Sequence, residues 1–258
     1  MKTYIIILII TIIVVPLMSQ QNDIKVQCDP ETGLCVIPEF SAEAKPEARN
    51  EAEEIIYIGD PMCSWCWGIS PELNALKRHA ADQGVPFTII MGGLRPGGGE
   101  EWNDQFKNFL KHHWEEVNKR SGQPFGYDIF EKENFNYDTE PACRAVVTAR
   151  HIAPEKSLYF YEYVQHYFYV KSADPNQLEF YLPICETLDI DFAEFSQLFN
   201  SEEMKHATQQ DFAQSRSWGI SGFPSIVYRK DDQLHLIAQG YAEYEDLKTK
   251  ISTVSQAQ

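Results

Sequence analysis

Apolar positions along this chain follow two periods. Short unbroken runs stand at Ile55-Ile56-Tyr57-Ile58-Gly59 and from Val85 to Gly92, where Phe87, Ile89, Ile90 and Met91 cluster. Runs of this length between turn residues predict strands buried on both faces. Between them Leu73, Leu76 and Ala80 recur on one helical face, Pro71 stands at the start and Gly84 follows, which predicts a helix over 70–82. Strand, helix and strand in this order form a βαβ unit with parallel strands and a right-handed crossover. From Glu101 to about Gln214 the period is helical almost throughout. Trp102, Phe106, Phe109, Leu110, Trp114 and Val117 mark one face, and further helices are expected over 142–152, 158–170, 178–188, 192–199 and 202–218. Strand character returns from Pro224 to Arg229 and from Leu234 to Ala238, joined by a hairpin turn at Lys230-Asp231-Asp232-Gln233. A helix from Tyr244 to Ile251 closes the pattern. The order is β-α-β, a helical block, then β-β-α: an α/β protein with a mixed sheet and flanking helices.

The first residues follow neither period. Lys2 precedes an apolar run from Tyr4 to Val15 that only Thr11 interrupts; Pro16 ends it, and Leu17-Met18-Ser19 offers a cleavage site. This is the layout of an export signal. The run is shorter than the roughly 20 residues a membrane span needs, so no stable membrane insertion is expected after cleavage; an uncleaved anchor is the alternative. An exported chain, periplasmic or extracytoplasmic in a bacterium, is the expectation. Pro38 to Glu54, rich in Glu, Ala and Pro, predicts a linker or solvated helix.

Composition narrows the function. With 258 residues, 43% hydrophobic and 13% aromatic, the chain can bury one large core. A net charge of -16 sets it against nucleic acids and anionic lipid, so neither is expected as a partner.

The candidate chemistry lies in Cys63-Ser64-Trp65-Cys66, between the first strand and its helix. A cysteine at a helix start faces unpaired backbone N–H groups and the positive end of the helix dipole, which favour the nucleophilic thiolate. A second cysteine one turn on is near enough to close a disulfide. A structural zinc site needs two further ligands, and none stands at suitable spacing: His112 and His113 are adjacent and distant, and Cys143 and Cys185 are isolated. No metal and no cofactor are therefore expected, and His112, His113, Glu115 and Glu116 read as a solvated helix face. Cys28 and Cys35 bracket a segment with the turn formers Pro30 and Gly33, so a structural disulfide is expected there; a second redox pair is the alternative. For Cys143 and Cys185, buried free thiols and a mutual disulfide both stay open.

Three local matches carry a family resemblance: Asp60-Pro61-Met62-Cys63-Ser64-Trp65-Cys66-Trp67-Gly68, Gly92-Gly93-Leu94-Arg95-Pro96 and Ser221-Gly222-Phe223-Pro224-Ser225. With the element order, the chain resembles the DsbA-type thiol:disulfide oxidoreductases of the thioredoxin superfamily, and most their FrnE-like branch, over roughly 55–252. The resemblance implies a thioredoxin fold with a large helical domain inserted between its halves. The expected divisions are a signal peptide at 1–19, an N-terminal segment and linker at 20–54, a βαβ half at 55–99, the insertion at 100–215 and a ββα half at 216–258. It also implies a cis peptide bond at Pro224 facing the cysteines, with Phe223 presenting backbone groups to an extended substrate. One departure stands out: the residues between the cysteines are Ser64 and Trp65, where strong oxidants of this type carry Pro-His, so the direction of electron flow is open.

The expected chemistry is disulfide exchange with cysteine-containing protein substrates and an unidentified redox partner. Cys63 would be the attacking sulfur and Cys66 the resolving one. Trp65, Trp67 and the aromatic segment 158–170 are candidates for an apolar groove or for core packing. Two alternatives remain: a glutathione-dependent transferase or isomerase on the same fold, in which serine generally replaces the first cysteine, and a non-catalytic thiol metal-binding or chaperone module.

Overall fold

The computed structural model describes residues 27–28 and 35–37 by their backbone and residues 53–256 in full. The signal-like segment and the linker at 38–52 lie outside the described residues. A six-stranded sheet runs in the order β1-β2-β6-β5-β3-β4. Its strands are β1 (Gln27–Cys28), β2 (Cys35–Ile37), β3 (Glu53–Gly59), β4 (Phe87–Met91), β5 (Ser225–Lys230) and β6 (Gln233–Gln239). β3 and β4 pair in parallel, with Ile55 opposite Phe87 and Gly59 opposite Met91, and β3 pairs antiparallel with β5. β5 and β6 form the expected hairpin, turned by Asp231 and Asp232 at φ 49 and 65. Positive φ at both turn residues gives the twist that a two-residue hairpin requires.

Side chains alternate across β3. Ile55 and Tyr57 enter the main core, which continues through α2 (Ser70–Asp82) and α9 (Tyr244–Gln256). Ile56 and Ile58 face the other way, into a small cluster with Ile220 and Val227. β3 begins at Glu53 rather than Ile55 because Glu53 and Glu54 pair with Lys230 and Arg229, a solvated strand end that apolar counting passes over. The N-terminal segment, expected to stand apart, instead adds β1 and β2 to the sheet: Val36 pairs with His235.

The helical block comprises α3 (Asp104–Ser121), α4 (Glu140–Ile152), α5 (Ser157–Tyr169), α6 (Leu182–Thr187), α7 (Phe192–Phe199) and α8 (Glu202–Ser217). Its caps follow the sequence: Asn103, Asp191 and Ser201 each accept a backbone N–H of the first turn. One expectation fails. Residues 122–139 are not helical apart from a single 3-10 turn, Asp128–Glu131. Gly122 ends α3 at φ 75, Pro124 follows, and the aromatic residues beyond tuck inward: Phe130, Phe135 and Tyr137 are all buried. Arg150 of α4 and Asp211 of α8 form a two-pronged ion pair that also takes the Ile89 carbonyl and the Met91 N–H. The block is thereby fastened to β4, whose open edge would otherwise present unpaired backbone groups.

Candidate active site

Cys63 caps α1 (Ser64–Gly68), which a single residue, Ile69, joins to α2. Cys63 is extended, at φ -89 and ψ 118, and its N–H donates to the Asp60 carbonyl at 3.0 Å. Its sulfur meets the backbone N–H and the side chain of Cys66. Across the cleft the Phe223–Pro224 bond is cis, and the Phe223 carbonyl lies 3.6 Å from the Cys63 sulfur. The cis bond thus stands beside the cysteine pair. Gly92 explains the close fit: a Cβ there would stand 2.2 Å from the Phe223 ring. The glycine loop thus acts as a close-packing surface for Phe223.

Both thiols are deeply placed. Cys63 keeps 6% of its surface exposed and Cys66 none. The motif predicted a thiolate eased by the helix start, and the surroundings act otherwise. The hydrogen bond with Cys66, burial and the like charge of Cys66 push the Cys63 thiol well above its ordinary value, while the Cys66 N–H pulls it down. The hydrogen bond with the Cys66 thiol weighs most and the loss of water next, and the single N–H that the short helix supplies does not offset them.

Asp60, fully buried, organises the approach to the cysteines. Its carboxylate accepts the Met62 N–H at 2.8 Å, the Leu94 N–H at 2.7 Å and the Cys143 thiol at 3.3 Å. Burial raises its carboxyl above the ordinary value against these bonds. The loop before Cys63 is thereby tied to the glycine loop and to α4. Tyrosine hydroxyls complete the tie: Tyr137 donates to the Met62 carbonyl at 2.6 Å and Tyr161 to the Asp60 carbonyl at 3.1 Å. Tyr57, on β3, lies 3.2 Å from the Tyr161 hydroxyl. None of these groups was singled out from the sequence. Asp60 sat inside the quoted motif, and Tyr57 was the one polar-tipped residue of an isoleucine run; Tyr137 and Tyr161 carried no local signal.

The remaining predicted residues divide. Trp67 is a core residue, stacked on Tyr169 with its indole N–H on the Pro124 carbonyl. Trp65 stays partly exposed beside Tyr241, and Ser64 is half-buried on α1. Cys143 and Cys185 are free buried thiols. Cys28 and Cys35 are Cα partners in the β1–β2 pair, and their side chains lie outside the described residues. His112 and His113 both sit against Glu116 on the exposed face of α3. Among the described residues no group of His, Cys, Asp or Glu is arranged to hold a metal ion, and no helix is long and apolar enough to cross a membrane.

A thioredoxin family model matches residues 56–249, from β3 through the helical block and into α9. The chain belongs to the thioredoxin family. This thioredoxin-family chain is 35% identical to a putative protein disulfide isomerase from Nitrosomonas europaea, with a TM-score of 0.74 over 80% of this chain and 98% of that one. The cytosolic disulfide reductase DsbM from Pseudomonas aeruginosa shares the fold at 21% identity and a TM-score of 0.63, covering 79% of this chain and 98% of its own. Among curated proteins, the ClpXP adapter protein SpxH of Shouchella clausii is 23% identical over 219 residues, 83% of this chain and 70% of that protein. The fold is the one the three motifs implied, and it is shared with thiol:disulfide oxidoreductases.

Proposed function

We propose that this protein exchanges disulfides with cysteine-containing protein substrates through Cys63 and Cys66, in the reducing or isomerising direction. The observation that carries the direction is the company Cys63 keeps: the Cys66 thiol, burial and the Asp60 carboxyl all disfavour its charge, and the Cys66 N–H opposes them without prevailing. A pair becomes a strong oxidant when its reduced form is stabilised as a thiolate. Here the Cys63 thiolate is disfavoured, so that source of oxidising power is missing.

In the working cycle the Cys63 sulfur, at the mouth of the site, attacks a substrate disulfide, and one substrate sulfur leaves with the electron pair. A mixed disulfide to Cys63 results. Cys66 then attacks the Cys63 sulfur, the Cys63–Cys66 disulfide forms and the second substrate sulfur leaves as thiolate. The Phe223 backbone, beside the cis bond, offers hydrogen bonds to an extended substrate segment. The half-exposed Trp65 and the exposed Leu94 flank the mouth as apolar contacts. The apolar run at Tyr4 to Val15 supports export, and Cys28–Cys35 as a structural disulfide accords with an oxidising compartment.

The test is insulin reduction by wild type, Cys63→Ser and Cys66→Ser, with the potential of the pair read in glutathione buffers. The reading requires activity lost in Cys63→Ser and a potential between about -270 mV, the thioredoxin value, and about -180 mV, that of a disulfide isomerase, well below the roughly -120 mV of a strong oxidant. A potential at the oxidant end overturns the direction; insulin reduction surviving Cys63→Ser overturns the mechanism. The likeness to SpxH favours a second reading, a protein adapter without turnover. On that reading partner binding is unchanged when both cysteines are serine.

A further inference from the structure

Cys66 has a demanding task for a sulfur with no exposed surface. It must shed its proton before it can attack Cys63, in a place where water cannot solvate the resulting charge. Facing it are Tyr57 from β3, then Tyr161 from α5, both fully buried. The Tyr57 hydroxyl is hydrogen-bonded to the Cys66 side chain, and the Tyr161 hydroxyl lies 3.2 Å beyond it. Tyr161 in turn donates to the Asp60 carbonyl at 3.1 Å. Gly59, the last residue of β3, makes room for both: a Cβ there would lie 2.7 Å from the Tyr57 oxygen and 2.8 Å from that of Tyr161.

Counting protons along this chain shows what it does. While Cys66 is a thiol, S–H donates to Tyr57, Tyr57 to Tyr161 and Tyr161 to the Asp60 carbonyl, so three donors meet three acceptors. Once the sulfur is a thiolate it can only accept. Both hydroxyls then turn: Tyr57 donates to sulfur and Tyr161 donates to Tyr57, and the Asp60 carbonyl loses its donor from Tyr161. We propose that the Tyr57–Tyr161 pair is a reversible hydrogen-bond donor relay that stabilises Cys66 as the resolving thiolate. Tyr57 touches the reacting sulfur, and Tyr161 is a positioning residue behind it.

The relay is no exit for the proton, because it ends on a backbone carbonyl. The proton leaves on the open side, to solvent or to the departing thiolate. The sulfur–sulfur bond from Cys66 to Cys63 forms as the bond from Cys63 to the substrate breaks, and the substrate sulfur takes the electron pair. The other titratable groups around the two thiols are Asp60, Tyr137 and Tyr169, with Arg95 acting on Tyr137 from the glycine loop. Beyond burial, the leading influences on Tyr57 and Tyr161 are the two cysteines and each other. A hydrogen bond donated by Tyr57 is the stabilising contact that this geometry offers to a charge on Cys66.

This inference rests on the dithiol-exchange reading, and one titration separates the two. Reduced full-length protein is mixed with 5,5′-dithiobis(2-nitrobenzoate) between pH 5 and 10. Release of thionitrobenzoate is followed above that of Cys63→Ser, which accounts for other thiols. The first equivalent reports attack by Cys63 and the second reports attack by Cys66 on the mixed disulfide. In Tyr57→Phe the first phase is expected to hold within about twofold. The second is expected to slow about tenfold, its pH midpoint rising by about one unit, as loss of one hydrogen bond to a charged group implies. Tyr161→Phe is expected to shift the midpoint the same way by less, which keeps the test open should the first variant fold poorly. An unmoved midpoint in both variants overturns the relay, whether or not the phases slow together. Release of a single equivalent by the wild type overturns the exchange reading itself.

Discussion

Glu162 allows an electrostatic cost to be worked through to a number. It projects from α5 into a cleft between α2 and α5, and its Oε1 is buried without a hydrogen-bond partner among the described residues. Burial pushes its carboxyl from an ordinary 4.5 to about 7, against the hydrogen bond of Asn74 and the charge of Lys77. The folded protein thus binds this proton more tightly than the unfolded chain does. The group's contribution to stability is fully present below pH 4.5 and is lost as pH rises to about 7. At about 1.4 kcal/mol per pH unit, ionisation costs the fold about 3 kcal/mol at pH 8.5. Glu162→Gln keeps the shape and removes the charge. The attraction of Lys77 is already contained in that figure, so the gain is about 3 kcal/mol. Urea unfolding at pH 5 is expected to leave the two proteins within about 1 kcal/mol, and at pH 8.5 the variant is expected to be the more stable by about 3 kcal/mol. An equal difference at both pH values, or a variant less stable at pH 8.5, would refute the argument from burial.

Three further outcomes follow from single contacts. Gly92→Ala places a Cβ against the Phe223 ring and displaces the carbonyl facing Cys63. Insulin reduction should fall about 10- to 100-fold with both thiols still titratable, and undiminished turnover would sink the role given to that loop. Asp60→Ala strands the Met62 and Leu94 N–H groups in a buried loop, at about 2–3 kcal/mol, with Asp60→Asn recovering part. Thermal unfolding reads the difference. Arg150→Met leaves Asp211 without its guanidinium beside β4, at about 2 kcal/mol for this partly exposed pair. Hydrogen exchange should then quicken first at Met91, and unchanged protection there would refute the fastening of the helical block to β4.

Much of the fold was legible because its signals are local. The α2 span of Ser70–Asp82 and the α7 span of Phe192–Phe199 coincide with their predicted limits, since Pro71, Gly84 and Asp191 punctuate them in the sequence itself. The irregular stretch at 122–139 fell inside a span read as helical almost throughout, although no helix was placed on it, because its aromatic residues pack individually into the core and set no period of their own. The cysteine pair and Phe223–Pro224 were legible as motifs. Asp60, Tyr57, Tyr137 and Tyr161 were not, since their meaning lies in contacts such as Tyr57 to Tyr161, 104 residues apart. No period or spacing encodes a hydroxyl that reaches a sulfur from another element.

That division bears on how redox direction is set. Cys63, Ser64, Trp65 and Cys66 name the atoms that exchange, and taken alone they argue for an activated thiolate. The field at a helix start is fixed by the backbone and differs little from one such motif to the next. What varies is what the fold brings to the buried side. Here β3 and α5 bring phenols, which donate hydrogen bonds but carry no positive charge, and the loop brings Asp60, whose charge opposes ionisation of Cys63. A donor that can turn towards or away from sulfur stabilises thiol and thiolate in alternation, where a fixed cation would favour the thiolate throughout. On the proposed reading the pair is thereby kept able to pass between dithiol and disulfide.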